Sequence, residues 1–156
     1  MLKGIHPLLG PDLLHAIASM GHGDEIVIAD GNFPASTLGP PVIRADGLGA
    51  VAILEAILHH MPLDQFVDET AWTMQVVGDP EAVPEICNEF SGVIRRLAGD
   101  FHLASLERFA FYERAAQAAY IVATTELRIY GNIILKKGVV YPHEIHGQAS
   151  STPSAA

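Results

Sequence analysis

The sequence predicts an α/β protein, a sheet with helical layers, folded as a single domain. Three observations carry that expectation. Strand-length apolar runs at residues 26–29, 120–124 and 133–135 are interleaved with segments whose apolar residues recur at helical spacing. Glycine and proline punctuate the joins between them. The length of 156 residues suits one domain with a sizeable core and is short for two.

Pro11 and Asp12 open a helix predicted over residues 11–20, with Gly21 as its stop signal. A strand over residues 25–29 follows, with the continuous apolar run that burial on both faces requires. Residues 32–41 carry Pro34, Gly39, Pro40 and Pro41 and read as loop, and residues 42–45 as a short second strand. Ala50, Ile53, Leu54, Ile57 and Leu58 predict a core-facing helix over residues 49–60, ended by Pro62. Residues 72–77 alternate bulky and polar side chains and stop at Gly78-Asp79-Pro80, a strand followed by a turn. A helix suits residues 81–97, with onset slipping to Val83 because Pro84 is tolerated only in the first turns. Another is predicted over residues 105–118 with Ser105 as N-cap, and residues 120–124 and 133–135 read as closing strands. From His143 the chain is polar and small, which predicts a domain over residues 1–142 and a mobile tail over 143–156.

Composition narrows the function classes. The chain is 49% hydrophobic, an apolar share at the high end, part of which is expected to cover subunit contacts. Its apolar stretches fall far short of the roughly 20 residues a membrane helix needs. The N-terminus lacks the apolar core and cleavage site of a secretory signal, so a cytoplasmic protein is expected. A net charge of −9 with scattered basic residues argues against nucleic acid and anionic membrane and favours a neutral small molecule. Cys87 is the single cysteine, which excludes an intrachain disulfide and a cysteine-based zinc cage and suits a buried helix face. His59-His60 are adjacent, and His143-x-x-His146 lies in the tail without a partnering acidic cluster or cysteine pair, so no metal site is expected. Gly21-x-Gly23 and Gly47-x-Gly49 lack the third glycine of a dinucleotide site and the Lys-Ser/Thr pair that cradles phosphate.

Two constellations carry candidate chemistry. His22 stands between Gly21 and Gly23 before the first strand and Asp30 stands after it. Flanking glycines free a side chain for presentation, and histidine suits acid/base work near neutral pH. The competing readings are a surface histidine in a helix-to-strand turn and an aspartate making a local backbone turn. In the second, Tyr130 and Asn132 flank Gly131 before an apolar strand, two neutral hydrogen-bonding groups suited to hydroxylated ligands. A simple turn with a packed tyrosine ring is the alternative. Arg108, Tyr112 and Arg114 on the helix predicted from Ser105 form either a solvated face or part of a site.

Taken together, Met1-Leu2-Lys3-Gly4-Ile5, residues 20–27, Ala29-Asp30-Gly31-Asn32-Phe33-Pro34, residues 107–115 and residues 130–138 closely resemble the D-ribose pyranase and L-fucose mutarotase family, from Met1 to about Tyr141. The Asn-Phe-Pro and Arg-Phe-Ala-Phe-Tyr-Glu-Arg blocks resemble its fucose branch. The resemblance implies an α/β/α sandwich assembled into a ring-shaped homo-decamer, with sites near subunit contacts. It implies an isomerase that interconverts the anomers of a free monosaccharide, L-fucose above others, without metal or organic cofactor. On the same basis His22 is the catalytic acid/base, and Asp30, Arg108, Tyr130, Gly131 and Asn132 bind the sugar. Asp30 would orient either His22 or a sugar hydroxyl. Gly31, and Thr125-Glu126-Leu127-Arg128 before the Tyr-Gly-Asn segment, depart from the more usual pattern. The chemistry is consistent, because mutarotation needs only a proton delivered to the ring oxygen and another removed from the anomeric hydroxyl. A non-catalytic sugar-binding or transport-accessory protein on the same scaffold is the competing reading.

Overall fold

A computed structural model describes residues 1–145. In chain order the elements are α1 (Pro11–Ser19), β1 (Glu25–Ala29), α2 (Ala35–Leu38), β2 (Val42–Ala45), α3 (Ala50–Leu58), β3 (Ala71–Met74), α4 (Glu85–Leu97), β4 (Leu103–Leu106), α5 (Arg108–Ala115), β5 (Tyr120–Thr124), β6 (Ile133–Lys136) and α6 (Pro142–Ile145). The strands form one sheet in the order β2-β5-β1-β6-β3-β4. β2, β5 and β1 pair in parallel, as do β3 and β4, while β6 is antiparallel to both β1 and β3. Five strands therefore run one way and β6 alone runs against them.

Side-chain alternation explains why both faces must be covered. Ile26 and Ile28 of β1 point into one apolar cluster, and Val27 and Ala29 into the other. β6 divides in the same way, with Ile133 and Leu135 on the first face and Ile134 on the second. The first face is covered by α1, α3 and α4 through residues such as Ile17, Leu54 and Phe90. The second is covered by α5 and α2 through Phe111, Ala115 and Ala35. The result is the expected α/β/α sandwich with a mixed sheet.

Most expected elements form, and the differences have local causes. The helix expected over residues 105–118 is split. Leu103–Leu106 is the edge strand β4, paired with β3 from Ala71↔Leu103 to Met74↔Leu106, and Glu107 rather than Ser105 caps the helix, accepting from the N–H groups of Phe109 and Ala110. Sheet pairing outweighs local helix signals there. Helix α4 starts at Glu85, after Pro84, because proline with extended ψ serves as the cap residue. The strand expected over residues 72–77 ends at Met74, and Val76 instead bridges to Asp79 around Gly78 at φ +83°. The expected loop over residues 32–41 holds the one-turn helix α2. Of the expected tail, His143, Glu144 and Ile145 lie in α6, and residues 146–156, including His146, lie outside the described residues. Cys87 sits buried on the core face of α4, and burial pushes its thiol up, which leaves it a poor nucleophile.

Candidate active site

Strand direction decides where the candidate residues fall. Asp30 follows β1, Arg108 follows β4, and Tyr130, Gly131 and Asn132 precede the reversed strand β6. All five therefore lie at the carboxyl ends of the parallel strands, the edge where open α/β sheets bind ligands. His22 precedes β1 and sits at the opposite edge. A five-residue strand spans about 16 Å, so His22 and Asp30 of one chain do not meet.

At the carboxyl edge Asp30 and Asn132 are buried and bound to each other. The Asp30 N–H donates to Asn132 Oδ1 at 2.8 Å and Asn132 Nδ2 donates to Asp30 Oδ2 at 2.9 Å. The Asn32 N–H donates to Asp30 Oδ1, closing an Asx-type turn. Each Asp30 oxygen keeps lone-pair capacity for a further donor. Tyr130 holds the left-handed conformation at φ +62°, and its hydroxyl accepts from the Val77 N–H at 3.1 Å. A non-glycine residue in that region costs energy and persists only where its surroundings impose it. Gly131 is required by close approach, since a Cβ there would lie 2.8 Å from Glu126 Cγ and 3.0 Å from Ile86 Cδ1. The guanidinium of Arg108 stands 4.7 Å from the Phe109 ring centroid, and its buried Nε has no hydrogen-bond partner among the described residues. A buried donor without an acceptor is uncommon and marks a group available to one. Arg114, grouped with Arg108 by sequence, does different work: it grips Glu25 through two bonds of 3.0 and 2.7 Å and stacks 3.5 Å over Trp72.

Glu126, buried between β5 and Tyr130, braces this edge. Its carboxylate accepts from the Arg128 N–H, Nε and Nη2 and from the Ala50 N–H at the start of α3, while Arg128 Nη1 also reaches Glu89. Bonds from Arg128 hold the Glu126 carboxyl below its usual range, against the opposing pull of burial.

At the other edge the His22 imidazole is 48% exposed and its Nε2 lies 3.1 Å from Oδ1 of Asp64, whose side chain is 4% exposed. The Phe66 ring meets the imidazole edge-on at 5.6 Å between centroids. Lys137 holds the turn in place: Nζ donates to the carbonyls of Ile17 and Met20 at the end of α1, its carbonyl accepts from Gly23, and its N–H donates to Asp24. Within one copy the carboxylate beside His22 is thus Asp64 and not Asp30, so of the two roles expected for Asp30, orienting His22 or a sugar hydroxyl, the first is not made within a single chain. Asp64 lies in the stretch between α3 and β3 that has neither helical nor strand periodicity, and one acid between Leu63 and Gln65 gives no local signal.

Comparison with known proteins bears on this arrangement. Residues 3–140 match the model of the RbsD / FucU transport protein family. The chain belongs to this family. Among its RbsD / FucU relatives, the fucose mutarotase of Homo sapiens is 50% identical over 145 residues, covering 89% of this chain and 94% of that protein. The L-fucose mutarotase of Actinobacillus pleuropneumoniae serotype 5b is 45% identical over 140 residues, covering 89% and 97%. The crystal structure of the fucose mutarotase from Streptococcus pneumoniae in complex with L-fucose superposes with a TM-score of 0.83 at 42% identity, covering 90% of this chain and all of that one. Membership bears out the resemblance carried by the five sequence blocks. Among the described residues no group of three or more His, Cys, Asp or Glu is placed to hold a metal ion, and no helix is long and apolar enough to cross a membrane.

Proposed function

We propose that this protein is a fucose mutarotase, interconverting the α and β anomers of L-fucose by general acid/base opening and closing of the ring. The observation that carries the chemistry is a half-exposed imidazole, His22, backed by a buried carboxylate. His22 takes the proton of the anomeric hydroxyl as the C1–O5 bond breaks, and O5 takes a proton from solvent water. The free aldehyde then rotates about C1–C2 and closes on its other face with the proton transfers reversed. No bond to the protein forms, and the roughly 10² to 10⁴-fold supplied by acid/base catalysis suits a reaction with an appreciable uncatalysed rate. Arg108, Tyr130, Asp30 and Asn132 supply donors and acceptors for the sugar hydroxyls, with Gly131 letting the backbone come close.

Because the acid/base group and the binding groups lie at opposite edges of one sheet, a complete site takes His22 from one copy and the carboxyl edge from the next. Exposed apolar residues rim both edges: Phe66 and Val67 beside His22, and Val77, Phe109, Leu127 and Ile129 around Tyr130 and Arg108. Such head-to-tail contacts build rings when their rotation closes, and the assembly proposed is the ring-shaped decamer. The same reading places the protein in the cytoplasm, in keeping with a chain whose single cysteine has no need of an oxidising compartment.

Exchange NMR on L-fucose tests the activity. Cross-peaks between the two anomers are expected to strengthen on adding protein and to fall to the uncatalysed level with His22→Ala. Full exchange in that variant removes His22 from the mechanism. Saturable fucose binding without any acceleration favours the non-catalytic sugar-binding reading instead.

A further inference from the structure

The segment before Gly10 forms neither helix nor strand, so no ladder ties it to the domain. Ile5, Leu8 and Leu9 lie on the first-face apolar cluster. Among the described residues a single hydrogen bond runs from this segment to a distant part of the chain: the His6 N–H donates to His60 Nε2 at 3.0 Å. The segment is folded on itself by the Leu8 N–H, which donates to His6 Nδ1 at 3.2 Å, and by the Leu9 N–H, which donates to the His6 carbonyl at 3.0 Å. Both side-chain acceptors are imidazole nitrogens. The His6 and His59 rings stack at 5.4 Å between centroids, and His59 meets His60 at 6.4 Å, so three imidazoles share the corner where the segment meets the end of α3. Glu55 Oε1 lies 4.0 Å from His59 Nε2 and is itself held by Arg96 at 3.2 Å. His143 and Glu144 of α6 line the same cavity as His59 and His60. Among the described residues no carboxylate stands within ion-pair distance of His6 or His60.

We infer that this corner is a pH-sensitive latch: neutral His60 holds the N-terminal segment down through Nε2, and protonation of His60 releases that segment while the sheet stays folded. An Nε2 that accepts leaves Nδ1 to carry the proton of the neutral ring. A proton added at Nε2 sets a donor against a donor, so the bond is lost outright. The same holds for His6 Nδ1 and the Leu8 N–H. Burial, and then the neighbouring His59 and His6, push the His60 imidazole below its ordinary value, which keeps the latch shut at neutral pH. Once released, the ring returns to a value of about 6.5. The open form therefore binds the proton more readily, and closure is fully favoured above that value and lost as pH falls below it. Glu55 favours charge on His59, and a charged His59 faces both other rings, so moving His6 away relieves a second proton in the corner. Gly10 is a suitable end to the released piece: the Leu14 N–H donates to its carbonyl at 2.9 Å, and α1 needs nothing from the residues before it. Opening frees Ile5, Leu8 and Leu9 from the cluster as one apolar strap.

Hydrogen–deuterium exchange on the full chain, at about pH 8 and about pH 5.5 and corrected for the intrinsic rate at each pH, follows the latch. Protection of residues 1–10 is expected to fall several-fold on acidification, with about tenfold the limit for one site whose released value is near 6.5. The amides of β1 and β5 are expected to keep theirs. His60→Gln places a neutral amide oxygen where Nε2 stood and takes up no proton in this range, so its protection is expected to be the same at both pH values. Constant protection in the wild type, an equal fall across β1 and β5, or an undiminished fall in His60→Gln overturns the proposal. Should His60→Gln not fold, long-range ¹H–¹⁵N correlation on the wild-type protein decides. Neutral His60 is expected as the Nδ1–H tautomer, titrating in step with the loss of His6 amide protection, and a predominant Nε2–H tautomer overturns the latch.

Discussion

Gly131 shows how tightly a single residue can be specified by its neighbours. Two side chains converge on its α-carbon, Glu126 from the same β5–β6 loop and Ile86 from α4. Adding one methyl group forces both to move, and overpacking of this kind costs about 1–3 kcal/mol. Gly131→Ala is expected to lower unfolding stability by that amount in denaturant titration and to weaken fucose binding, since Tyr130 and Asn132 are displaced with it. Tyr130 pulls the same way. Its left-handed backbone at φ +62° is tolerated because the hydroxyl is anchored on the Val77 N–H and the next residue is locked by contact. Asp30 and Asn132, joined by two hydrogen bonds, fix the start of β6 to the end of β1, so the residues proposed to meet the sugar are also those that hold the edge together.

The loop between β5 and β6 behaves as an element in its own right, with Glu126 at its centre. The Glu126 carboxyl titrates below its unfolded value of about 4.3, chiefly because Arg128 binds its ionised form. A depressed carboxyl contributes stability that is fully present above the unfolded pKa and is lost as pH falls through the folded one. Wild-type melting temperature should therefore drop on acidification through that range. Glu126→Gln should melt lower at pH 7 and lose less as pH falls below the unfolded carboxyl value, so that the two curves converge in acid. Thermal melts at a series of pH values check this, and parallel curves would remove Glu126 from the acid response. Residues 125–128 thus form a segment braced from within. Sequence patterning made most elements legible, because β1, β5 and β6 are apolar on both faces and α1, α3 and α4 carry apolar stripes. It failed at β4, where Leu103–Leu106 is too short to show a period and is a strand only because β3 lies beside it. It also missed Asp64 and Lys137, whose roles arise from contacts with His22 and with α1 across large sequence separations.

At the scale of the whole molecule, the division of the candidate site between two edges makes a prediction that no single copy can satisfy. His22→Ala and Arg108→Ala are each expected to abolish or severely reduce exchange. Co-assembled from equal amounts of the two unfolded chains, they should regain activity at roughly a quarter of the sites, those where an intact His22 of one copy meets an intact Arg108 of its neighbour across a head-to-tail contact. No recovery would show that each copy builds its site alone. Light scattering on the same samples reports whether both variants assemble.

The lone antiparallel strand has a bearing on that assembly. β6 is four residues long, Ile133–Lys136, with Asn132 gripping Asp30 at one end and Lys137 gripping the His22 turn at the other. It acts as a gauge block. The distance between the acid/base end and the sugar-holding end of every copy is set by this one segment, about 13 Å at the rise of an extended chain. A one-residue insertion in β6 would leave composition and charge nearly untouched, yet it would turn the strand's faces over, and in the proposed head-to-tail ring it would also change the pitch at which neighbouring copies meet.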